Sequence, residues 1–553
     1  MKHVSFLFII LVFPISSGQQ IKACTNFLAG ADATLDGSTI ITYAADSHTL
    51  YGELYHWPAK DWPEGSMLEV KEWDSGRPLG KIPQVPHTYA VIGNMNEHQV
   101  TIGETTYGGR LELVDTTAAM DYGSLIYIAL QRSRTAREAI KVMTDLVAEY
   151  GYCSEGESFS IGDPNEVWIM EMIGKGPDYR GAVWVAVRIP DDCISAHANQ
   201  ARIRQFPLDD PDNCLYAPDV ISFARQKGYF DGMNKDFSFA EAYAPLEFSS
   251  LRSCEARVWC FFSRAKSGMD YYLPYIKGQS KEAMPLYIKP DQKLGVQDFK
   301  NFMRDHYEGT VFDMSTDIGA GPYHVPYRWR PMTFTVDSME YVNERATATQ
   351  QTGFSFVAQM RDWMPDPAGG IFWFGVDDAN TCVYIPVFCG INDIPECFRV
   401  GNGDMLTFSW TSAFWINNWV ANMCYTKYSY MIKDIRPVQQ SIEVSFMKDI
   451  PALDIKAREL FEQHPDSVRS LLTAYSVSRA QETTARWKQL GEYLMVKYMD
   501  GNLKKEKDGQ FERNEYGQPV YPDFPGYDEP YYRNIVKETG DKLKITKTIH
   551  ETN

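Results

Sequence analysis

Over the first 200 residues of this chain β-rich runs fall into two blocks, and a helical stretch lies between them. The first block reads as strands over residues 25–30, 38–44, 89–93 and 100–104. The second covers 158–161, 167–172, 182–189 and 194–198. Between them, 124–132 is apolar on one side. Thr135-Ala136-Arg137-Glu138 is a capping box that opens a helix to about Tyr150, with Ala139, Ile140, Val142, Met143, Leu146 and Val147 as its stripe. Strands, then helices, then strands suit antiparallel sheet covered by helices; a doubly wound parallel fold would alternate.

Asp36-Gly37 is a hairpin signal. A turn centred there sets Cys24 opposite residue 49, three residues from Asp46. A second hairpin is expected to turn at 94–97. Residues 200–340 read as long loops and short helices, β-rich runs recur over 350–432, and 451–499 is helical in three pieces. The expected organisation is a leader over 1–18, a short pro-segment over 19–23, a core with insertions over 24–450, and a helical extension over 451–553.

The N-terminus carries the chemical signal. Lys2 and His3 precede a short apolar run and the small residues Ser16-Ser17-Gly18, the pattern of a secretory leader. The run is too short to span a membrane, which takes about 20 residues. The chain is therefore expected to be secreted or periplasmic. Signal peptidase would cut after Gly18, or directly after Ala23. A cut ahead of Cys24 places a thiol and a free α-amine on one residue. The amine, with a pKa near ~8, can then act as base for the thiol. The rival reading of the same stretch is a lipoprotein that carries lipid on Cys24 and binds peptides or glycans.

The net charge of −18 opposes a nucleic-acid partner, whose phosphates need a basic surface. An apolar fraction of 44% supports a large core. Export permits disulfides among the ten cysteines, but a free Cys24 leaves an odd number of others. His-Glu-x-x-His and Gly-x-Ser-x-Gly are both absent, so neither a zinc peptidase nor a serine hydrolase is indicated, and no cofactor is expected.

Cys24-Thr25-Asn26, Asp36-Gly37-Ser38 and Asp46 resemble the start of the dipeptidase A and secernin family of cysteine N-terminal-nucleophile hydrolases. Matching runs follow in order at 96–105, 156–159, 194–202, 255–259 and 307–310. The resemblance implies an α+β fold, an αββα sandwich of two antiparallel sheets between helical layers, with loop-rich insertions and a helical C-terminal region. It implies hydrolysis of short peptides, specifically dipeptides, after self-exposure of the nucleophile. The related acylases leave an alternative, hydrolysis of N-acyl amino acids or bile-salt-type amides. By position, Cys24 is the nucleophile, Asp46 orients its amine, and Asn199 donates to the oxyanion. Arg257 takes a site arginine able to hold a substrate carboxylate, and Thr105 stands where the acylases place a second oxyanion Asn. Apart from the resemblance, a charged substrate terminus needs a fixed partner, and Glu104 or Glu157 could bind an ammonium. His98 and His197, inside matched runs, read as hydrogen-bonded structural residues. Tyr43 departs from the acylases, which carry Arg three residues before the acid.

Overall fold

The structure is a computed structural model that describes residues 24–545. The leader and pro-segment calls lie outside the described residues. In chain order the main strands are β1 (Asn26–Ala29), β2 (Thr39–Asp46), β3 (Thr101–Gly108), β4 (Gly156–Gly162), β5 (Val167–Gly174), β6 (Ala182–Ile189), β7 (Ile194–His197), β8 (Thr352–Met360), β9 (Ile371–Val376) and β10 (Ile385–Phe388). The main helices are α1 (Tyr122–Arg132), α2 (Ala136–Tyr150), α3 (Ala256–Ala265), α4 (Val296–Met303), α5 (Ala413–Thr426), α6 (Tyr428–Gln463) and α7 (Pro465–Tyr498).

Two antiparallel sheets lie face to face. One runs Tyr287–Ile288, β7, β1, β2, β8, β9, β10; the other runs Cys214–Tyr216, β6, β5, β4, β3, Met95–Asn96, Val91–Ile92, His56–Trp57. β2 packs across onto β3 and β4. Helices α1 and α2 cover the outer face of the second sheet, while α3, α4, α6 and α7 lie against the first. This is the expected α+β sandwich with its helical C-terminal region.

Strand β5 shows how the sequence produces two layers of core. Trp168, Met170 and Met172 pack with the α1 and α2 stripe, whereas Val167, Ile169 and Ile173 join the core shared with the other sheet. A strand buried on both faces reads as a nearly continuous apolar run. The α2 cap forms as its motif indicates: Thr135 accepts from the Glu138 N–H at 3.2 Å.

Three expectations need correction. The β1–β2 register pairs Leu28 with Ile41 and Thr25 with Ala44, which puts Cys24 opposite Ala45 instead of residue 49. The connection is not a two-residue turn at Asp36-Gly37. It is a longer loop with a 3₁₀ turn at Ala31–Ala33, tied down by Ala33 N–H to Asp191 O and Leu35 N–H to Leu294 O. The second hairpin turns at Gly93-Asn94, because Ile92 pairs with Met95, and Met95 then pairs with Thr101. The helical region begins with α5 at Ala413, inside the stretch expected to be β-rich, and continues as two long helices from Tyr428 and Pro465, not three pieces from 451. Pro437 and Pro451 lie inside α6. Each removes one backbone donor, a loss that the packed helix absorbs. All ten cysteines are unpaired.

One core residue carries a stability prediction. Lys300 on α4 is fully buried, its Nζ 3.5 Å from the Trp373 ring centroid and without a hydrogen-bond acceptor among the described residues. Burial pushes its ammonium down to about 7. Between that value and the ordinary 10.5 the unfolded chain binds more protons than the folded one, so this group makes stability rise with pH across that window. Below it the full cost of the buried charge is present. Lys300→Met should therefore stabilise the protein at pH 7 and below by roughly 1–4 kcal/mol and flatten the pH dependence. Denaturant midpoints at pH 6 and 9 check this.

Candidate active site

Cys24 stands at the head of β1, in the first sheet, and is only 4% exposed. Its Sγ lies 3.8 Å from Tyr43 Oη and 3.8 Å from Glu104 Oε1. The Tyr43 hydroxyl donates to the same Glu104 oxygen at 2.5 Å. Tyr43 comes from β2 and Glu104 from β3, so the two sheets meet at the thiol. Asn26 fixes that meeting by donating its amide to Glu104 O at 2.6 Å. The close approach needs Gly103, where an added Cβ would stand 2.3 Å from Asn26 Oδ1.

The corrected register places Asp46 beside Cys24. Its carboxylate is fully buried, ion-paired with Arg345 and hydrogen-bonded by Thr352 Oγ1 at 2.6 Å. Burial pushes the Asp46 carboxyl up, and Arg345 opposes that shift. Burial also pushes the Cys24 thiol well up, reinforced by the negative charges of Glu104 and Asp46. The backbone N–H of Asp46 favours the thiolate but does not offset these effects. As it stands, the thiol holds its proton.

Arg257, on α3, organises the rest. Its five N–H groups go to Ser253 O, Cys24 O, Thr25 Oγ1, Ala198 O and Asn199 Oδ1 at 2.5–3.1 Å. All the donors of the fork are thus engaged inside the protein, and none is left here for a substrate carboxylate. Burial, helped by the nearby Arg345, lowers its pKa to about 10. One guanidinium therefore ties the Cys24 carbonyl to Asn199. Asn199 follows β7 with φ 62°, a left-handed conformation that asparagine tolerates better than most residues. Its amide donates to Thr106 O at 2.8 Å.

Cys24, Asp46, Glu104, Arg257 and Asn199 are thus brought together. Thr105 is not among them. Its hydroxyl pairs with His197 Nδ1 at 2.7 Å, and His197 Nε2 pairs with Ser160 Oγ at 2.7 Å, in a chain buried within the sandwich. Burial drives the His197 imidazole down to about 3, so it is neutral and structural. His98 pairs with Asp366 at 2.9 Å. The sequence reading missed Tyr43 as a neighbour of the thiol, although its spacing before Asp46 had marked the position. It also missed Arg345, 299 residues beyond Asp46, for which no local pattern exists.

The sequence profile described as Peptidase family C69 matches residues 52–441, most of the chain. The chain belongs to peptidase family C69. It is 24% identical over 432 residues to a probable dipeptidase of Latilactobacillus sakei, covering 74% of this chain and 82% of that protein. It is 25% identical over 397 residues to a probable dipeptidase of Salmonella dublin, covering 67% and 82%. A probable dipeptidase B of Lactococcus lactis subsp. lactis (strain IL1403) is 23% identical over 507 residues, covering 88% of this chain and 98% of its own.

The C69 profile begins beyond Cys24 and Asp46. In this C69 peptidase Asn199 also lines a cavity of about 760 Å³. Glu72, Asp74, Glu112, Asp121, Glu155, Glu157 and Glu247 line it too, against a single basic side chain, Arg110. The Arg110 guanidinium, held by Ala242 O at 2.6 Å over the Tyr229 ring, lies 4.0 Å from Glu112, and Glu72 pairs with Arg77 at 3.3 Å, so the lining keeps an excess of acidic over basic side chains. Among the described residues no cluster of His, Cys, Asp and Glu has the makings of a metal site.

Proposed function

We propose that this peptidase is a cysteine dipeptidase whose nucleophile is Cys24, acting once it has become the first residue. The observation that carries this reading is the state of the thiol. It is buried between two carboxylates, and its hydrogen-bond partners are a tyrosine and a glutamate rather than an imidazole. Such a thiol needs a base placed on it, and a terminal α-amine on the same residue supplies one. The names of the relatives support the substrate class. The basic and apolar start supports export, and no helix among the described residues is long and apolar enough to cross a membrane.

The steps follow. The α-amine of Cys24 takes the thiol proton, with Asp46 orienting the resulting ammonium. Sγ bonds to the peptide carbonyl carbon, and the carbonyl pair moves onto oxygen. Asn199 spends one amide N–H on Thr106 and turns the other to this oxyanion, an interaction made mainly in the transition state. The C–N bond breaks as the leaving amine takes the proton from the Cys24 ammonium. Water then adds to the thioester, passing a proton to the amine. The S–C bond breaks, and the first amino acid leaves with the thiol restored. Arg257 acts as a positioning residue.

The test compares a free dipeptide, its N-acetyl form and a conjugated bile-acid amide, each with EDTA or a thiol-alkylating reagent. Turnover of the free dipeptide alone is expected, insensitive to EDTA and lost on alkylation. Preference for the acylated compounds would move the chain to the amide-hydrolase reading. Activity lost in EDTA and restored by metal would overturn the cysteine mechanism.

A further inference from the structure

We propose that the buried charges Glu171, Arg202 and Glu255 are positioning residues, which pin the loop carrying Asn199 and lock it to the helix carrying Arg257. The inference rests on the oxyanion role read for Asn199 above and names the groups that would enforce it.

The loop leaves β7 at His197 and runs to Ile203. Asn199 lies within it at φ 62°. A left-handed residue other than glycine persists where its surroundings over-determine it. Here both ends of the loop are tied. At the far end, Glu171 of β5 accepts the Arg202 and Ile203 N–H groups. The Ile203 nitrogen lies 3.0 and 3.1 Å from its two oxygens. At the near end, the Arg202 guanidinium reaches back to Ala196 O at 2.9 Å and closes the loop on itself. The same guanidinium donates to Glu255 Oε1 at 2.9 Å, to Pro285 O at 2.9 Å and to Leu286 O at 3.2 Å.

Glu255 ends the turn that leads into α3, two residues ahead of Arg257. Arg257 donates to Ala198 O at 3.1 Å and Asn199 Oδ1 at 3.0 Å. The loop is therefore held to α3 through Arg202 as well as through Arg257, and to β5 through Glu171. With Asn199 Oδ1 on Arg257 and one amide N–H on Thr106 O, the direction of the second N–H follows from where the loop sits.

The cost of the arrangement points the same way. All three charged side chains are buried. For stability alone, an apolar set of similar volume often serves as well or better. What the charges add is direction, through charge-assisted hydrogen bonds in fixed geometry. A misplacement of about 1 Å at a reacting centre can cost on the order of 10²-fold in rate. The three residues act on the reaction through Asn199 and Arg257.

The experiment uses processed enzyme and alanyl-alanine at pH 8.5. Burial raises the Glu171 carboxyl to about 7, opposed by the two N–H groups, so at this pH it is ionised. Glu171→Gln keeps the shape but sets an NH₂ group against the Ile203 N–H. It should lower kcat about 10–10²-fold and leave KM within about threefold, the split of a contact made in the transition state. Arg202→Lys keeps a charge for Glu255 but loses the planar fork that reaches Ala196 O and Pro285 O. It should act in the same direction, which covers a Glu171 variant that fails to fold. The decisive measurement is a double-mutant cycle. On an Asn199→Ala background either substitution should cost less than about threefold in kcat, because the donor it positions is gone. Full losses repeated on that background would overturn the inference, since the network would then serve the fold at large. Losses carried by KM, or wild-type kcat in both variants, would overturn it as well. Asn199→Ala turning over at the wild-type rate would instead sink the oxyanion role of Asn199, and with it the premise.

Discussion

Cys24→Ala abolishes turnover, with an expected loss on the order of 10⁴–10⁶, and leaves the fold intact. The loss is large because no other group near the carbonyl can form the covalent intermediate. The fold survives because the polar contacts of the thiol among the described residues are weak ones, to Tyr43 and Glu104 at 3.8 Å and from the Asp46 backbone N–H. Position matters as much as identity. The surroundings of Sγ favour the protonated form, and an α-amine with a pKa near ~8 is the base within reach of it. Exported, active protein should therefore begin at Cys24, as intact mass would show. If removal of residues 19–23 is autocatalytic, the Cys24→Ala chain should retain them. Full activity in a chain that keeps those residues would remove the amine from the mechanism.

Arg257→Lys should lower kcat by about 10²–10³, as should Asn199→Ala, because the first variant releases what the second deletes. Lysine keeps the charge but not the planar fork. It cannot hold Ser253 O, Cys24 O, Thr25 Oγ1, Ala198 O and Asn199 Oδ1 at once. The decisive comparison pairs a dipeptide with its C-terminal amide. Equal losses on both establish Arg257 as a positioning residue. A loss confined to the free acid would show that the guanidinium leaves its internal partners to bind the substrate carboxylate. Asn199→Ala should change KM much less than kcat.

The sandwich was legible wherever local pattern and global burial agree. Strand β5 is apolar on both sides because both sides are covered, and α2 announces itself through Thr135 and Glu138. What failed was geometry set by distant partners. The β1–β2 register depends on loop contacts to Asp191 and Leu294, which turn propensity at Asp36-Gly37 does not record. The part of α6 ahead of residue 451 does not read as helix; the local cost of Pro437 and Pro451 is visible in sequence and the packing that offsets it is not. In the site, Cys24, Asp46 and Asn199 could be named from short runs. Arg345 could not, since its meaning lies in a carboxylate 299 residues away. Arg257 was found, but its partners are mostly backbone carbonyls, and those leave no trace in residue identity.

The acidic cavity beside Asn199 also acts on molecules that have not yet bound. Its lining holds more acidic than basic side chains, and a cleft of one prevailing sign focuses field lines. A dipeptide is a zwitterion, with its charges at opposite ends. A dipeptide that reaches the proposed site through this cavity is expected to turn in that field and arrive amino end first. Capture is then partly a matter of long-range orientation, and added salt should slow it by shortening the reach of the field to about a Debye length. The product amino acids are shorter dipoles and feel a weaker torque. The same wall that draws a dipeptide in therefore holds its fragments less firmly.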